Sequence, residues 1–412
     1  MTVLVIGAGI GGLTLALSLH QAGIPCRVFE TVAEPRPLGV GINLLPHAVR
    51  EFSELGLYDL IAPHAVATAE LAYFSKRGQK IWSEPRGKAA GYHWPQLSIH
   101  RGALQMLLLA AVRDRLGRGT VATNHHLTHW TDKNGTITAH FTDQSPAEGT
   151  ILIAADGIHS TIRRHFYPDE GPPIWNGAIL WRGTTIARSY LTARSMIMAG
   201  HEFQKFVAYP IANPDENGTQ RINWIAERKF PKDRAWRRED WNRQGNPDDF
   251  LPQFRDWRFD WLDVPALIEG REACYEFPMV DRDPLPRWTF DRVTLLGDAA
   301  HPMYPIGSNG ASQAIIDARV LTREFLKHGL TPAALEAYEA ERREATARIV
   351  LANRGNGPEQ VMQLVEQRAP DGFKRIDDVL SREELEGTAA AYKRTAGFDV
   401  EGLNTRPPTV VL

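Results

Sequence analysis

The sequence predicts a mixed α/β fold, in which a parallel-sheet domain is intergrown with a smaller, mostly antiparallel β-sheet domain and followed by C-terminal helices. Three observations predict it. Residues 3 to 30 run as strand, glycine-rich turn, helix and second strand; from Gly177 to about Pro284 the pattern changes to aromatic and β-branched runs; helical periodicity returns beyond Ser312. At 412 residues the chain also exceeds the length over which one core usually keeps growing.

Each element follows from its own signals. Apolar Val3 to Ile6 reads as a strand, Leu13 to Ala22 as a helix stopped by Gly23, and Cys26 to Glu30 as the next strand. Helices are expected over Pro46 to Leu55, with Gly56 as a stop, and over Arg101 to Leu116, with Gly117 behind it. Ile179 to Ile186, Phe203 to Tyr209, Arg221 to Ala226 and Cys274 to Phe277 read as strands of the second sheet, interrupted by a polar, tryptophan-rich insert of helix and loop, Phe230 to Trp261. Strand signal resumes at Arg292 to Leu296, helices fill Ser312 to Lys327 and Thr331 to Asn353, and the charged end reads as surface helix and a loosely held tail. The domain boundaries expected are 1–70, 98–175 and 285–350 for the first domain, 71–97 and 176–284 for the second, and 351–412 for the helical segment and tail.

Composition narrows the function. Lys plus Arg (47) nearly balances Asp plus Glu (49) with no long basic block, so neither nucleic acid nor an anionic membrane is an expected partner; a small molecule is. The most apolar run, Ala103 to Val112, is too short for the roughly 18 to 20 residues that cross a bilayer and reads as a buried helix. Met1 leads straight into the first strand without a charged leader or cleavage site, so the expected location is the cytoplasm. Cys26 and Cys274 lack CxxC spacing, no HExxH occurs, and His125-His126 has no ligand spacing, so no metal is expected.

Gly7-Ala8-Gly9-Ile10-Gly11-Gly12 fits GxGxxG between a strand and a helix. Gly7 permits the tight turn, Gly9 lets a pyrophosphate approach the backbone, and Gly12 lets helix and strand pack closely. Glu30 ends the second strand 18 residues after Gly12, where a carboxylate can accept from an adenosine ribose. This pattern alone does not separate FAD from NAD. Far downstream, the strand ending in Gly297-Asp298 leads into a turn with Pro305, Gly307 and Gly310 and then a helix, so that a carboxylate suits a ribityl chain and the N–H groups of Ala311 and Ser312 suit the N1/O2 side of a flavin. A dehydrogenase using NAD alone has no need of that second site, so the pairing favours FAD. A third strand, Ile151 to Ala155, ends in Asp156-Gly157 with Arg163 and Arg164 behind it.

These three motifs together resemble the class A flavoprotein monooxygenases, the group of para-hydroxybenzoate and salicylate hydroxylases, over roughly residues 1 to 350. A closer likeness, to the phenazine (pyocyanin-forming) monooxygenase subgroup, runs through Arg36 to Asn43, Trp82-Ser83-Glu84-Pro85-Arg86-Gly87, Ser98 to Gly102, and Tyr275 to Pro286. The resemblance implies that Arg101 reaches the FAD phosphates or ribityl chain, Asp298 the ribityl and pyrophosphate region, and that Gly41 and Asn43 lie near the isoalloxazine. Asp156 would serve FAD and NAD(P)H alike. One departure is Ala154-Ala155 before Asp156, where the family usually has Gly-Ala.

The implied reaction is reduction of FAD by NADH or NADPH, capture of O2 as a flavin C4a-hydroperoxide, and hydroxylation of an aromatic or N-heteroaromatic substrate, with decarboxylation of a carboxylic acid in the phenazine-like case. The cofactor carries such chemistry, so no side chain is expected to be catalytic in its own right; the Pro305 turn would position substrate. Tyr209, Trp224, Met279 and Pro305 are the expected lining. Arg182, in Trp181-Arg182-Gly183, reads first as a strand-edge salt bridge and second as an anion-orienting group, and His301 as a structural histidine rather than a general base. The expected state is a monomer or homodimer. The alternatives are a flavin-dependent reductase or dehydrogenase and a non-catalytic flavin-binding redox sensor; a flavin halogenase is disfavoured because Asn223-Trp224-Ile225-Ala226 does not match WxWxIP.

Overall fold

A computed structural model describes residues 1–231, 243–355, 359–397 and 399–412. The first helix, Ile10–Gln21, lies between the parallel strands Val3–Ile6 and Cys26–Phe29, and every residue of Val3–Ile6 is buried. These belong to a six-stranded sheet in the order Thr289–Phe290, Val293–Leu295, Ile151–Ala154, Val3–Ile6, Cys26–Phe29, Val121–Ala122. All its pairs are parallel except Thr289–Phe290 with Val293–Leu295. Strands buried on both faces read as continuous apolar runs, as Val3–Ile6 and Ile151–Ala154 do. The three motif turns follow the C-terminal ends of three adjacent strands, so they converge on one edge of this sheet.

The second sheet has seven strands, in the order Arg271–Asp281, Ile174–Arg188, Thr219–Lys229, Gln204–Pro210, Ser195–His201, Glu70–Phe74, Lys80–Pro85. Only Ser195–His201 with Glu70–Phe74 is parallel. Both faces are covered. One carries Tyr73, Met196, Met198, Tyr209, Phe277 and Met279 and packs against Tyr304, Ile306 and the helix Gln360–Arg368; the other carries Phe74, Trp181, Phe206 and Trp224 and packs against Phe250, Phe254 and Val264–Glu269. A small sheet of Gly41–Leu44, Gln96–His100 and Ala65–Thr68 lies between these bodies.

Two expectations change. Part of the insert Phe230 to Trp261 lies outside the described residues; the rest holds the short helix Leu251–Phe254 and the strand pair Arg258–Phe259 and Leu262–Asp263. The tail is not loosely held: Arg50 donates to the Pro407 carbonyl, Thr409 Oγ1 donates to Glu51 Oε1 at 2.7 Å, and Val410 is buried. The helix Pro46–Glu54 carries the charged groups that receive it, and Arg319 holds the same helix through Glu51 at 3.2 Å. No helix among the described residues is long and apolar enough to cross a membrane.

Candidate active site

The glycine turn is shaped by contacts that admit no side chain. A Cβ on Gly7, whose φ is +106°, would lie 2.4 Å from the Ala155 carbonyl oxygen, and one on Gly12 would lie 2.1 Å from that of Gly7. Gly11 would meet Leu296 at 2.9 Å, whereas nothing lies within 4 Å of the corresponding point on Gly9, which leaves open space in front of the turn. Ile10 begins the helix and is half-buried. Glu30 Oε2 accepts the Ala8 N–H and Oε1 the Val32 N–H, each at 2.8 Å, so the carboxylate is held at the mouth of the turn.

Arg101 and Asp298 are both open to solvent, yet protein surrounds them closely enough to perturb them. Enclosure lowers the Arg101 pKa against the opposing pull of Asp298, and raises that of Asp298 against His301 and Arg101. Solvent access combined with enclosure marks a cleft rather than a convex surface. Asp298 makes no hydrogen bond among the described residues and faces Gly310, where a Cβ would lie 3.9 Å from its Oδ1. In the second acidic turn, Asp156 Oδ2 accepts the Thr161 N–H at 2.9 Å, while its Oδ1 is buried without a hydrogen-bond partner among the described residues. Burial raises its pKa, offset in part by Ser160 and Thr161. Gly157, at φ +78°, has nothing within 4 Å of its added Cβ.

The Gly-Asp turn is braced from behind. Asp317, fully buried, accepts the Gly297 N–H at 3.1 Å, contacts His301 Nε2 at 2.5 Å and accepts from Arg342 Nε at 2.7 Å. Burial would raise the Asp317 pKa, but His301 and Arg342 outweigh it and hold it at about 2. Beyond it, Pro305 is exposed and Gly307 takes φ +70°. The following helix begins at Gly310, two residues before the expected start, so Ala311 and Ser312 lie in its first turn, where backbone N–H groups lack helical partners. Ser312 Oγ also accepts the Leu45 N–H at 3.2 Å.

Gly41 is a point where the small sheet meets the seven-stranded one. Its N–H donates to Asn223 Oδ1 at 2.6 Å, and its carbonyl accepts from Tyr209 Oη at 2.8 Å and Arg182 Nη2 at 2.9 Å. Asn43 is buried beside it, accepting from Ser98 Oγ at 2.5 Å and reaching Met196 Sδ at 3.6 Å. Arg182 therefore does not form the strand-edge salt bridge expected of it: its strand lies inside the sheet, it has no ion pair among the described residues, and its guanidinium lies 5.9 Å from the Phe277 ring centroid. Its Nε is buried without a hydrogen-bond partner among the described residues.

Of the lining residues expected, Tyr209 and Met279 share one face with Tyr304 and Ile306, next to Pro305. Trp224 is a correction. It lies on the opposite face with Phe206 and Phe250, fully buried, and its Nε1 donates to Thr185 Oγ1 at 3.0 Å. Side chains alternate along a strand, so its neighbour Asn223 occupies the Tyr209 face instead. Asn223 carried no motif signal. Asp317 and Arg342 were equally silent, being ordinary charges in helical patterns. A hairpin at the sheet edge also contributes Tyr73, Trp82, Glu84 and Arg86 to the Tyr209 face.

Comparison with known proteins bears on this arrangement. The family described as FAD binding domain matches residues 1–172 and 266–353, more than half of the chain. The chain is 46% identical over 361 residues to a phenazine 1,6-dicarboxylic acid hydroxylase, PhzS, of Lysobacter antibioticus, covering 85% of this chain and 89% of that protein. It is 29% identical over 366 residues to a 6-hydroxynicotinate 3-monooxygenase of Bordetella bronchiseptica, covering 86% and 91%. Among solved structures, HpxO of Klebsiella pneumoniae, complexed with FAD and uric acid, is similar with a TM-score of 0.73 at 26% identity, covering 96% of this chain and 92% of that one.

Proposed function

The chain belongs to the FAD binding domain family and is an FAD-dependent aromatic monooxygenase, and from that premise we propose that it hydroxylates a fused-ring N-heteroaromatic carboxylic acid of the phenazine type. The observation that carries the substrate class is the 46% identity to a phenazine dicarboxylic acid hydroxylase over most of both chains. The proposal extends to decarboxylation: one oxygen atom of O2 goes to the ring carbon that loses CO2, the other leaves as water, and NAD(P)H supplies the two electrons. We take the enzyme to act in the cytoplasm as a monomer or homodimer.

The residues present fit FAD. Gly9 leaves the open space that a pyrophosphate needs at a helix N-terminus, in a turn that Gly7, Gly11 and Gly12 close tightly with Ile10 opening the helix, and Glu30 would meet the adenosine ribose. Arg101 and Asp298 in the cleft suit the phosphates and ribityl hydroxyls, and Asp156 Oδ1, buried without a hydrogen-bond partner among the described residues, could accept one from a bound group. Gly157 and Gly297 shape the turns that present these carboxylates. Gly307, Gly310, Ala311 and Ser312 would meet the electron-rich edge of the flavin, and Gly41 and Asn43 would lie near its isoalloxazine. When bound and reduced by NAD(P)H, FAD would supply the electrons that activate O2 for oxygen transfer to the ring.

The protein then has three tasks. The Gly41 peptide, gripped by Asn223, Tyr209 and Arg182, fixes the distance between the cofactor cleft and the substrate face. The apolar face of Tyr209, Met279 and Ile306 excludes water and stacks the ring. Pro305, exposed at the start of its turn, sets the edge against which the substrate lies.

The test is to follow NADH and NADPH oxidation with phenazine, quinoline, salicylate and hydroxybenzoate acids, with product and CO2 measured together. Stimulation by a phenazine acid with matching hydroxylated product and CO2 is the expected result. Ring hydroxylation without CO2 release removes the decarboxylation, and stimulation only by single-ring acids removes the substrate class.

A further inference from the structure

A cation enclosed by protein is costly to keep unless an anion meets it. The four buried arginines among the described residues follow that rule: Arg50 is paired with Glu54, Arg163 with Glu170, Arg319 with Glu51 and Arg342 with Asp317. Arg182 breaks it. Its Nη2 donates to the Gly41 carbonyl at 2.9 Å, its guanidinium meets the Tyr209 hydroxyl, and its Nε is enclosed without a hydrogen-bond partner among the described residues. Both acceptors are neutral, and a guanidinium offers five N–H donors.

The carboxylates around it are taken. On the neighbouring strand Glu227 is paired with Lys205 at 3.0 Å, and together with Glu359, Arg86, Glu84 and Lys393 they make a group of three cations and three carboxylates that is neutral in itself. Glu272 reaches Thr184, two residues on from Arg182, but Arg221 holds it at 2.8 and 3.0 Å. Asp298 balances Arg101 in the cofactor cleft, and the Arg101 pKa, lowered by enclosure against the pull of Asp298, is lowered further by Arg182. Arg182 is the charge left over.

There is also room beside it. The strand of Arg182 is bonded on both sides, opposite Ile225 and Tyr275, so the part of this residue that stays half-exposed is its side chain. The helix Gln360–Arg368 packs mainly on Ser195–His201 and Lys80–Pro85, and the nearer of these lies three strand positions away, about 14 Å at about 4.8 Å each. Tyr275 is half-exposed as well; its ring lies at 25° to that of Phe277 with centroids 6.2 Å apart, and the guanidinium lies 5.9 Å from the Phe277 centroid. A half-exposed cation therefore stands between the Gly41 peptide and two aromatic rings.

We propose that Arg182 pairs with a carboxylate of the aromatic substrate, whose ring lies along Tyr275. The inference rests on the proposed function and deepens it by assigning the residue that recognises the acid. A planar guanidinium matches a carboxylate through two parallel N–H···O bonds, and one fixed beside Gly41 decides which edge of the ring faces the cofactor. The bond to the Gly41 carbonyl holds the guanidinium in place before the substrate arrives, so little side-chain freedom is lost on binding.

The test uses the FAD-loaded enzyme without NAD(P)H, with affinities measured by calorimetry and by perturbation of the flavin spectrum. The probes are phenazine-1-carboxylate and phenazine-1-carboxamide, which share a ring system and differ in charge. A charge-assisted hydrogen bond in an enclosed site corresponds to about 10- to 100-fold in affinity. Wild type is expected to prefer the acid by that factor, and Arg182→Gln to remove the preference by weakening the acid alone. Arg182→Lys, which keeps the charge but not the planar fork, is expected to fall between the two, and it decides alone if Arg182→Gln does not retain FAD. Loss of the Gly41 bond by itself would weaken acid and amide equally, so an equal loss overturns the assignment, as does a wild type without preference. A preference that survives in Arg182→Gln beside a shifted flavin potential gives the guanidinium to the flavin and overturns it too. If wild type binds neither phenazine yet turns over another aromatic acid, the substrate class of the proposed function fails instead, and that acid with its amide takes the place of the phenazine pair.

Discussion

Asn223 Oδ1 accepts the backbone N–H of Gly41 at 2.6 Å, joining a strand of the seven-stranded sheet to the small sheet beside the cofactor cleft. The bond is buried, and Tyr209 and Arg182 complete it from the carbonyl side. Whatever shifts one sheet against the other must break this grip.

Gly41→Ala puts that grip to the test. The added Cβ would lie 2.7 Å from Asn223 Cβ and 2.8 Å from Tyr209 Cε2, close enough to force both aside. Overpacking of this kind costs about 1 to 3 kcal/mol. The melting temperature is expected to fall, and the ratio of hydroxylated product to NAD(P)H consumed to fall with it; an unchanged ratio would mean that the contact holds structure alone.

The two faces of the large sheet are separable by mutation. Tyr209→Phe removes one donor to the Gly41 carbonyl, and kcat/KM is expected to drop by about three- to tenfold. Trp224→Phe leaves a cavity among Phe206 and Phe250 on the far face and is expected to cost about 1 to 3 kcal/mol in urea unfolding while kcat/KM stays within about twofold. The reverse pattern would put Trp224 back in the substrate lining.

Glu30 holds two backbone N–H groups, and it is the carboxylate proposed to meet the adenosine ribose. Glu30→Gln exchanges one accepting oxygen for an NH2 group, so the Ala8 or the Val32 N–H loses its partner. FAD affinity, followed by flavin fluorescence on titrating apoprotein, is expected to weaken about tenfold. Undiminished affinity would remove Glu30 from the cofactor site.

Acid should loosen the Gly-Asp turn through Asp317. Its pKa is about 2 in the folded protein against an ordinary 3.8, so the folded state binds this proton less tightly than the unfolded chain does. The stabilisation, about 2 kcal/mol, is present above about pH 4 and is lost as the pH falls toward 2. In urea unfolding, Asp317→Asn is expected to be less stable than wild type at pH 7, because His301 and Arg342 lose their buried anion, with the gap narrowing below pH 4. A gap that does not change with pH would show that the charge on Asp317 is not what holds the turn.

The nucleotide end of the molecule was legible because its determinants are local. Gly7 to Gly12, Asp156-Gly157 and Gly297-Asp298 each follow an apolar strand, and Gly7, Gly157 and Gly297 take positive φ of +106°, +78° and +60°, a conformation that glycine adopts without strain. The substrate face was legible in part. Its strands were evident from their composition, but which side each residue faces depends on pairing register, and a shift of one residue inverts every choice.

What the sequence by itself determined is the fold class, the three motif turns and the flavin chemistry they imply, all encoded in contiguous stretches whose backbone geometry admits few alternatives. Tertiary structure alone decided that Asn223 rather than Trp224 meets Gly41, 182 residues away in the chain, that Arg182 donates to a carbonyl instead of forming a salt bridge, and that the tail docks on Arg50 and Glu51. The physical reason is that these are contacts between distant segments: a side chain carries its donors and its volume wherever the strand register turns it, and only packing settles what it meets.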